Sequence, residues 1–200
     1  MKIPEPIRGF VDSLSQLPGI GPRQAIRIAF HLAGRSRDTA IILARSAERL
    51  AELKTCPICF YIHENEAAMC EICANPVRDS LTIAVVEKET DVLSMESTEK
   101  FSGVYLVLGS IKKTGGLSDL QRSRIETLKK RLRASQSGKA KEIIIALSPT
   151  TFGDMASRMA EQELSEYALR VTRLGRGIPA GGEIEFADPE TLGEAIRRRD

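Results

Sequence analysis

Four cysteines are the residues whose types and spacing point most directly to chemistry. Cys56 and Cys59 form one C-x2-C pair, Cys70 and Cys73 form a second, and ten residues separate the two pairs. Two such pairs can surround one tetrahedral ion, and four sulfur ligands leave no position open for water or substrate. The spacing therefore predicts one structural Zn²⁺ per chain. Two disulfides or a redox pair are the alternatives, and they are disfavoured because the N-terminus lacks an export signal and a redox site needs only one pair.

A second candidate site is the segment from Leu17 to Arg23, which reads LPGIGPR. Gly19 and Gly21 permit a tight turn with positive φ before the next helix. Such a turn presents backbone N–H groups and the positive end of the helix dipole to an anion, and Arg23 and Arg27 add charge on the same side. The segment therefore predicts a contact with DNA phosphates, which gives affinity without a choice of base sequence. A plain turn between two helices is the alternative.

Two acidic residues, Glu87 and Asp91, follow the first predicted strand. Sheets of the α/β class place their ligands at the carboxyl ends of parallel strands, and carboxylates there can hold Mg²⁺ for phosphodiester chemistry. A second acidic pair after a later strand is missing, since the third strand leads into the residues ALSPTT at 146–151. We therefore interpret Glu87 and Asp91 as structural or partner-binding acids. A magnesium-dependent nuclease or a primase-like enzyme is the alternative.

The elements that must position these residues change in character near residue 80. Residues 4–53 carry apolar side chains at helical spacing in three helices, the second of which is predicted to begin at Pro22 and to stop at Gly34. The cysteine module follows at 55–78, with His63 in its loop. Apolar strand-like runs and helical patterns then alternate, at 81–86, 89–99, 104–108, 118–135, 142–147, 151–168 and 169–172. Continuously apolar strands in this order are typical of a parallel sheet covered on both faces.

Two of these segments resemble known modules. The hairpin around residue 20 resembles a helix-hairpin-helix element of DNA-repair proteins, and the acids after the first strand resemble the first half of a Toprim domain. The predicted fold class is therefore a multi-module α+β chain. It comprises a helical helix-hairpin-helix region at 1–54, a four-cysteine zinc finger at 55–79 and a Toprim-like α/β domain with a parallel sheet at 80–200. The last of these ends in a Gly/Arg-rich segment and a helix capped by Asp188.

Charge is distributed unevenly along the chain, although its net value is only +2. Residues 1–55 carry nine Lys/Arg and five Asp/Glu, and residues 112–141 carry ten and two. Local excesses of this kind favour contact with a polyanion, whereas a single charge run is more commonly a solvated helix face. No apolar run is long enough to span a membrane. We expect a cytoplasmic, nucleoid-associated protein without membrane contact.

The order of these features resembles the RecR family of bacterial recombination mediators. The resemblance rests on LPGIGPRQAIRIAFHL at 17–32, the paired cysteines at 56–73, VVE with a following aspartate at 85–91, and TRLGRGIPAGGEIEFAD at 172–188. It covers nearly the whole chain, and the last segment is its most specific part. It implies a non-enzymatic DNA-repair protein that assembles into a ring-like homo-oligomer, a dimer or a tetramer, around DNA.

The resemblance also implies partners and residue roles. RecO and RecF are the expected protein partners, with which the chain helps to load RecA on gapped DNA or on DNA coated with single-strand-binding protein. Gly19, Gly21, Arg23 and Arg27 are the expected DNA-binding residues, acting at gaps or single/double-strand junctions without sequence preference. Glu87 and Asp91 match acidic positions of the family's Toprim docking face and are carried over as partner-binding. A structural zinc adaptor without DNA contact is a third hypothesis.

Overall fold

The computed structural model describes residues 3–35, 37–112, 116–175, 177–178 and 180–197. The chain forms two compact units, one ending at Leu53 and the other beginning at Lys54. The second unit holds both the cysteine module and the parallel sheet. No helix within the described ranges is long and apolar enough to cross a lipid bilayer.

The first unit consists of three helices: α1 at Glu5–Leu14, α2 at Pro22–Arg35 and α3 at Arg37–Leu50. Pro22 begins α2 as predicted, because its fixed φ suits a first helical turn whose N–H groups have no intrahelical acceptor. The predicted stop at Gly34 is wrong: α2 continues to Arg35, and Gly34 is not among the glycines with positive φ. Of the described residues in this unit, only Ala25 and Ala29 are fully buried.

The second unit opens with the cysteine module. Its elements are a short antiparallel pair, β1 at Lys54–Thr55 and β2 at Ile62–His63, and one helical turn, α4, at Glu71–Ala74. His63 therefore lies in a strand and not in the predicted loop, because its backbone pairs with Lys54. The residue is buried, with 8% of its surface exposed.

Four parallel strands form the sheet of the second unit, in the order β4-β3-β5-β6. The strands are β3 at Asp79–Val86, β4 at Gly103–Val107, β5 at Glu142–Ala146 and β6 at Val171–Arg173. The helices between them are α5 at Glu89–Glu96, α6 at Asp119–Ala134 and α7 at Thr151–Leu164, and α8 follows at Pro189–Arg197. The predicted alternation of strands and helices is confirmed, with boundaries that differ by up to three residues at most strand and helix ends.

Both faces of the sheet are covered, as the continuously apolar strands predict. Ile83 and Val85 of β3 pack into a core with α6 and α7. Ala84 and Val86 point to the opposite face, where they pack with Val92 of α5 and with residues of the cysteine module. Successive side chains of a strand alternate between faces, so a strand with two covered faces has to be apolar throughout.

The C-terminal segment after β6 is more exposed than the rest of the second unit. Asp188 caps α8 as predicted, accepting hydrogen bonds from the backbone N–H groups of Glu190 at 3.0 Å and Thr191 at 2.9 Å. Large apolar side chains of this segment, including those of Ile184 and Phe186, are mostly exposed. Two residues of the family-like segment at 172–188, residues 176 and 179, lie outside the described ranges.

Candidate metal centre and nucleic-acid interface

The four cysteines converge on one point of the module. One ligand atom from each of them lies within 4.8 Å of the others, and Cys56 and Cys59 are completely buried. The first pair is turned inward by a tight loop in which the Phe60 N–H donates to the Cys56 carbonyl at 2.9 Å. Phe60 has a φ of +64°, a left-handed conformation that a non-glycine residue seldom adopts. The structure thus brings together the four sulfurs that the spacing predicts as ligands.

The second pair is organised by the start of α4. Cys70 is the N-cap residue of this turn, and its sulfur accepts a hydrogen bond from the Cys73 backbone N–H at 3.5 Å. The same sulfur lies 3.4 Å from Sγ of Cys59. The pairs are therefore in contact across the site, which is the arrangement that a tetrahedral ion requires.

The thiols influence one another's ionisation strongly. Hydrogen bonds from Cys59 and Cys73 lower the pKa of Cys70 to about 2. Hydrogen bonding to Cys70 and Cys73, together with burial, raises the pKa of Cys59. Four thiols this close cannot all release their protons unless a cation takes the place of those protons. The donor set therefore fits a metal ion that prefers sulfur, and the cluster could bind one.

The cysteine module is attached to the edge of the parallel sheet. The carbonyl of Cys59 accepts a hydrogen bond from the N–H of Val107, the last residue of β4, at 2.8 Å. Arg124 of α6 places its guanidinium 4.9 Å from the centre of the Phe60 ring and donates to the Val107 carbonyl at 2.9 Å. These contacts cover the β4 edge, which would otherwise present unpaired backbone groups. The position of the cysteine cluster is consequently tied to the edge of the sheet.

The hairpin before α2 has the geometry of a type II turn. The Ile20 N–H donates to the Leu17 carbonyl at 3.2 Å, and Gly19, preceded by proline, has a φ of +80°. The carbonyl of Gly21 accepts the first helical hydrogen bond, from Ala25 at 3.0 Å. The next backbone N–H groups therefore lie at the open, positive end of a 14-residue helix whose first turn has no acidic residue.

The four predicted DNA-binding residues all lie on the surface at this end of α2. Gly19, Gly21, Arg23 and Arg27 are exposed, and the two arginines are one helical turn apart. Neither arginine forms an ion pair or hydrogen bond with any residue that the structure describes. The hairpin can thus offer backbone donors and two free cations to an anion such as a phosphate.

The two predicted partner-binding acids are brought together at the C-terminal end of β3, where each makes bonds within the fold. Glu87 is 8% exposed, and its Oε1 accepts from the Ile111 N–H at 3.2 Å. Oδ2 of Asp91 accepts from the N–H groups of Glu87 at 3.1 Å and Lys88 at 2.8 Å. Among the residues with described positions, only the four cysteines form a group of three or more potential metal ligands.

The basic segment at 112–141 is more internally paired than the sequence indicates. Glu163 of α7 accepts hydrogen bonds from Arg122 at 2.7 Å and from Lys129 at 3.0 Å, and Lys129 is 8% exposed. Arg133 lies with its guanidinium 5.0 Å from the centre of the Tyr167 ring. The interpretation of this run as mostly solvated is therefore wrong for Lys129, whereas Arg122 and Arg133 are exposed as expected although each has a partner. Arg122 and Lys129 lie two turns apart on one helix face, and this spacing indicates that they could share an acidic partner. It could not identify that partner as Glu163.

Comparison with known proteins agrees with this architecture. Residues 7–50 match the family described as RecR, helix-hairpin-helix, residues 82–175 match the Toprim domain, and residues 177–199 match RecR, C-terminal. The Recombination protein RecR of Koribacter versatilis is 38% identical over 200 residues, covering 99% of this chain and 98% of that protein. Those of Staphylococcus haemolyticus and Frankia alni are 37% and 40% identical, with at least 95% of each chain covered.

The fold and the matches define a chain in which a helix-hairpin-helix unit, a four-cysteine cluster and a Toprim sheet follow one another. This confirms the predicted fold class. The chain belongs to the RecR family of recombination proteins, as the resemblance of its motifs indicates. Its role accordingly lies in recombination repair.

Proposed function

We propose that this chain is a non-enzymatic mediator that grips DNA at gaps or single/double-strand junctions of the nucleoid. In this proposal it acts with RecO and RecF to help load RecA on DNA coated with single-strand-binding protein. The observation that carries the proposal is the exposed hairpin, in which free backbone donors at a helix N-terminus stand beside Arg23 and Arg27. Such a surface recognises phosphates and not bases, which suits a protein that must act at any sequence.

The metal of the cysteine cluster is proposed to be one Zn²⁺ per chain. Four thiolates that can surround one tetrahedral ion favour zinc over magnesium or calcium, because the latter two prefer oxygen ligands. Cys56, Cys59, Cys70 and Cys73 would hold the ion. When bound, the ion would fix the module on the sheet edge, and with four sulfur ligands it would have no open position for chemistry.

Assembly into a ring-like oligomer is supported by the incomplete core of the first unit. Only two of its described residues are fully buried, while Ile41, Ile42 and Leu43 of α3 are exposed. A helical unit of this size needs more apolar burial than it obtains alone, and a second copy of the same unit would supply it. Several hairpins in one ring would also multiply a weak phosphate contact through effective concentration.

Ile42→Asp tests the assembly proposal. A charge at this exposed apolar position would oppose burial between copies, so we expect the solution mass to fall and DNA affinity to fall with it. The matched control is Val77→Asp, because Val77 is 89% exposed in the other unit. Sedimentation equilibrium would measure both variants. A wild-type protein that sediments as a monomer, or an Ile42→Asp protein of unchanged mass, would contradict the proposal.

Glu87 and Asp91 are proposed as partner-binding positions of the Toprim surface. Glu87 accepts a hydrogen bond from Ile111, and Asp91 accepts two from the turn at residues 87–88. These bonds support the role indirectly, because they fix the shape of the surface that a partner would contact. Among the residues that the structure describes, neither acid belongs to a group of three or more potential metal ligands. This favours a docking surface over the nuclease or primase alternative.

The mediator and enzyme hypotheses give different results on gapped DNA coated with single-strand-binding protein. With RecO and RecF present, we expect this protein to shorten the lag before RecA assembles, without any DNA cleavage or primer synthesis. Glu87→Gln is expected to weaken the partner-dependent gain while leaving DNA binding unchanged. Magnesium-dependent turnover that Glu87→Gln abolishes would overturn the proposed function.

A further inference from the structure

Arg131 of α6 forms no ion pair with any acidic residue that the structure describes. Its Nη2 is buried and has no hydrogen-bond partner. Three other cations of the same helix have protein partners: Arg122 and Lys129 bond to Glu163, and Arg124 donates to Val107, although Nε of Arg124 is also buried without a partner. Arg131 as a whole is half-buried, and a partly buried charge without a counter-charge is costly, so an anion beside its guanidinium would stabilise it.

The surroundings of Arg131 identify where that anion lies. Arg131 and Cys73 line the same cavity of about 180 Å³, together with Ile58 of the first cysteine pair. Burial lowers the pKa of Arg131, and the groups that oppose this are all cysteines: Cys73, Cys59 and Cys56. Cys73 of the cluster thus lies beside the guanidinium in one cavity.

We propose that Arg131 is the counter-charge of the metal–thiolate cluster. Four thiolates around a divalent ion keep two net negative charges, and a guanidinium beside them offsets part of that excess. The inference rests on the proposed metal and goes beyond it, because it assigns a positioning residue in α6, about 60 residues from the nearest cysteine in sequence. It also makes α6 of the Toprim sheet responsive to whether the metal is bound.

The effect of a substitution at Arg131 on the melting temperature should change sign between the metal-loaded and the metal-free protein, which distinguishes this role from packing alone. Arg131→Met keeps the length of the side chain and removes the charge. In the metal-loaded protein the substitution is expected to lower the melting temperature, since the cluster loses its counter-charge. After chelation it is expected to raise the melting temperature, since it removes a buried cation that the empty cluster satisfies poorly. A role in packing alone would shift both melting temperatures in the same direction.

Metal release and spectroscopy complete the test on the full chain. We expect Arg131→Met to release Zn²⁺ to a chelator about 10- to 100-fold faster than wild type, as is typical when an outer partner of a metal site is lost. Its Co²⁺-substituted form should show a shifted thiolate-to-metal charge-transfer band. Arg131→Lys keeps the charge and should retain most of the slow release. Lys130→Met, at the exposed neighbouring position, is the charge-matched control and should match wild type.

The outcomes of this experiment separate the metal assignment from the role of Arg131. A wild-type chain that binds neither Zn²⁺ nor Co²⁺ would overturn the metal assignment and this inference together. A wild-type chain that binds metal, with Arg131→Met unchanged in release rate and spectrum, would overturn the role of Arg131 alone. If Arg131→Met does not fold, Arg131→Lys is compared with Lys130→Met instead. Release from Arg131→Lys as fast as from a cysteine variant would then contradict a charge role.

Discussion

Cys59→Ser is expected to remove the metal and to destabilise the second unit. A serine hydroxyl is a poor ligand for the proposed Zn²⁺, and the sulfur of Cys59 lies 3.4 Å from that of Cys70 in the other pair. We expect the free energy of unfolding to fall on the order of 5 kcal/mol. This is less than the roughly 10–16 kcal/mol that zinc contributes to isolated zinc-finger peptides, because the sheet stabilises this unit independently. Metal content and chemical denaturation measure the two effects.

The loss is expected to extend beyond the cysteine module into the sheet. The Val107 N–H of β4 donates to the Cys59 carbonyl, and Arg124 contacts both Phe60 and Val107. Hydrogen exchange at residues 104–108 should therefore accelerate in Cys59→Ser and in chelated wild-type protein. Glu71→Gln, next to Cys70 but exposed, is the control and should keep its metal and its protection. Full protection of Val107 in metal-free protein would disprove the link between metal and sheet.

The sequence could predict features that depend on residues close together in the chain, but not contacts between distant residues. The cysteine cluster was predictable because all four ligands lie close together in sequence, and the sheet because its strands are apolar on both faces. The attachment of the cysteine module to β4 was not predictable. Cys59 and Val107 are distant in sequence, and their hydrogen bond joins backbone atoms that nearly every residue carries. The sequence also could not show that Glu163 pairs with α6, because an exposed charge and a paired charge look alike in a helical pattern.

Predictions from the local sequence were wrong where a residue type suits more than one conformation. Glycine suits both a left-handed helix end and an ordinary helical turn, and Gly34 serves the second use. Histidine between two cysteine pairs suits a loop, a ligand or a strand, and His63 lies in a strand. The same ambiguity affects Glu87 and Asp91, whose acidic side chains accept backbone hydrogen bonds inside the fold. Their position was predictable from the end of β3, whereas these contacts depend on a loop and a helix start.

Replacing Arg23 and Arg27 together with alanine is expected to weaken DNA binding on the order of 10- to 100-fold at low salt. Each lost phosphate contact also reduces the salt dependence, so the log–log slope of affinity against salt should become shallower by roughly 2 for each hairpin that engages DNA. The effect should be the same for every DNA sequence, since the proposed contacts of the hairpin are with phosphates. Fluorescence anisotropy across a salt series on two unrelated gapped duplexes would measure affinity, slope and sequence dependence.

Arg45 and Arg49 provide the matched control, because they lie in the same unit on α3, are exposed and are also one helical turn apart. Their double alanine variant changes the net charge equally. A general electrostatic effect would weaken DNA binding by both variants alike, whereas a hairpin site is lost only in the Arg23/Arg27 variant.

Gly19→Ala supplies a test without any charge change. Its φ of +80° strains an alanine by about 1 kcal/mol, so the turn should deform and binding should fall while the salt slope stays near that of wild type. Equal affinity of the Arg23/Arg27 and Arg45/Arg49 variants would remove the hairpin from the mechanism.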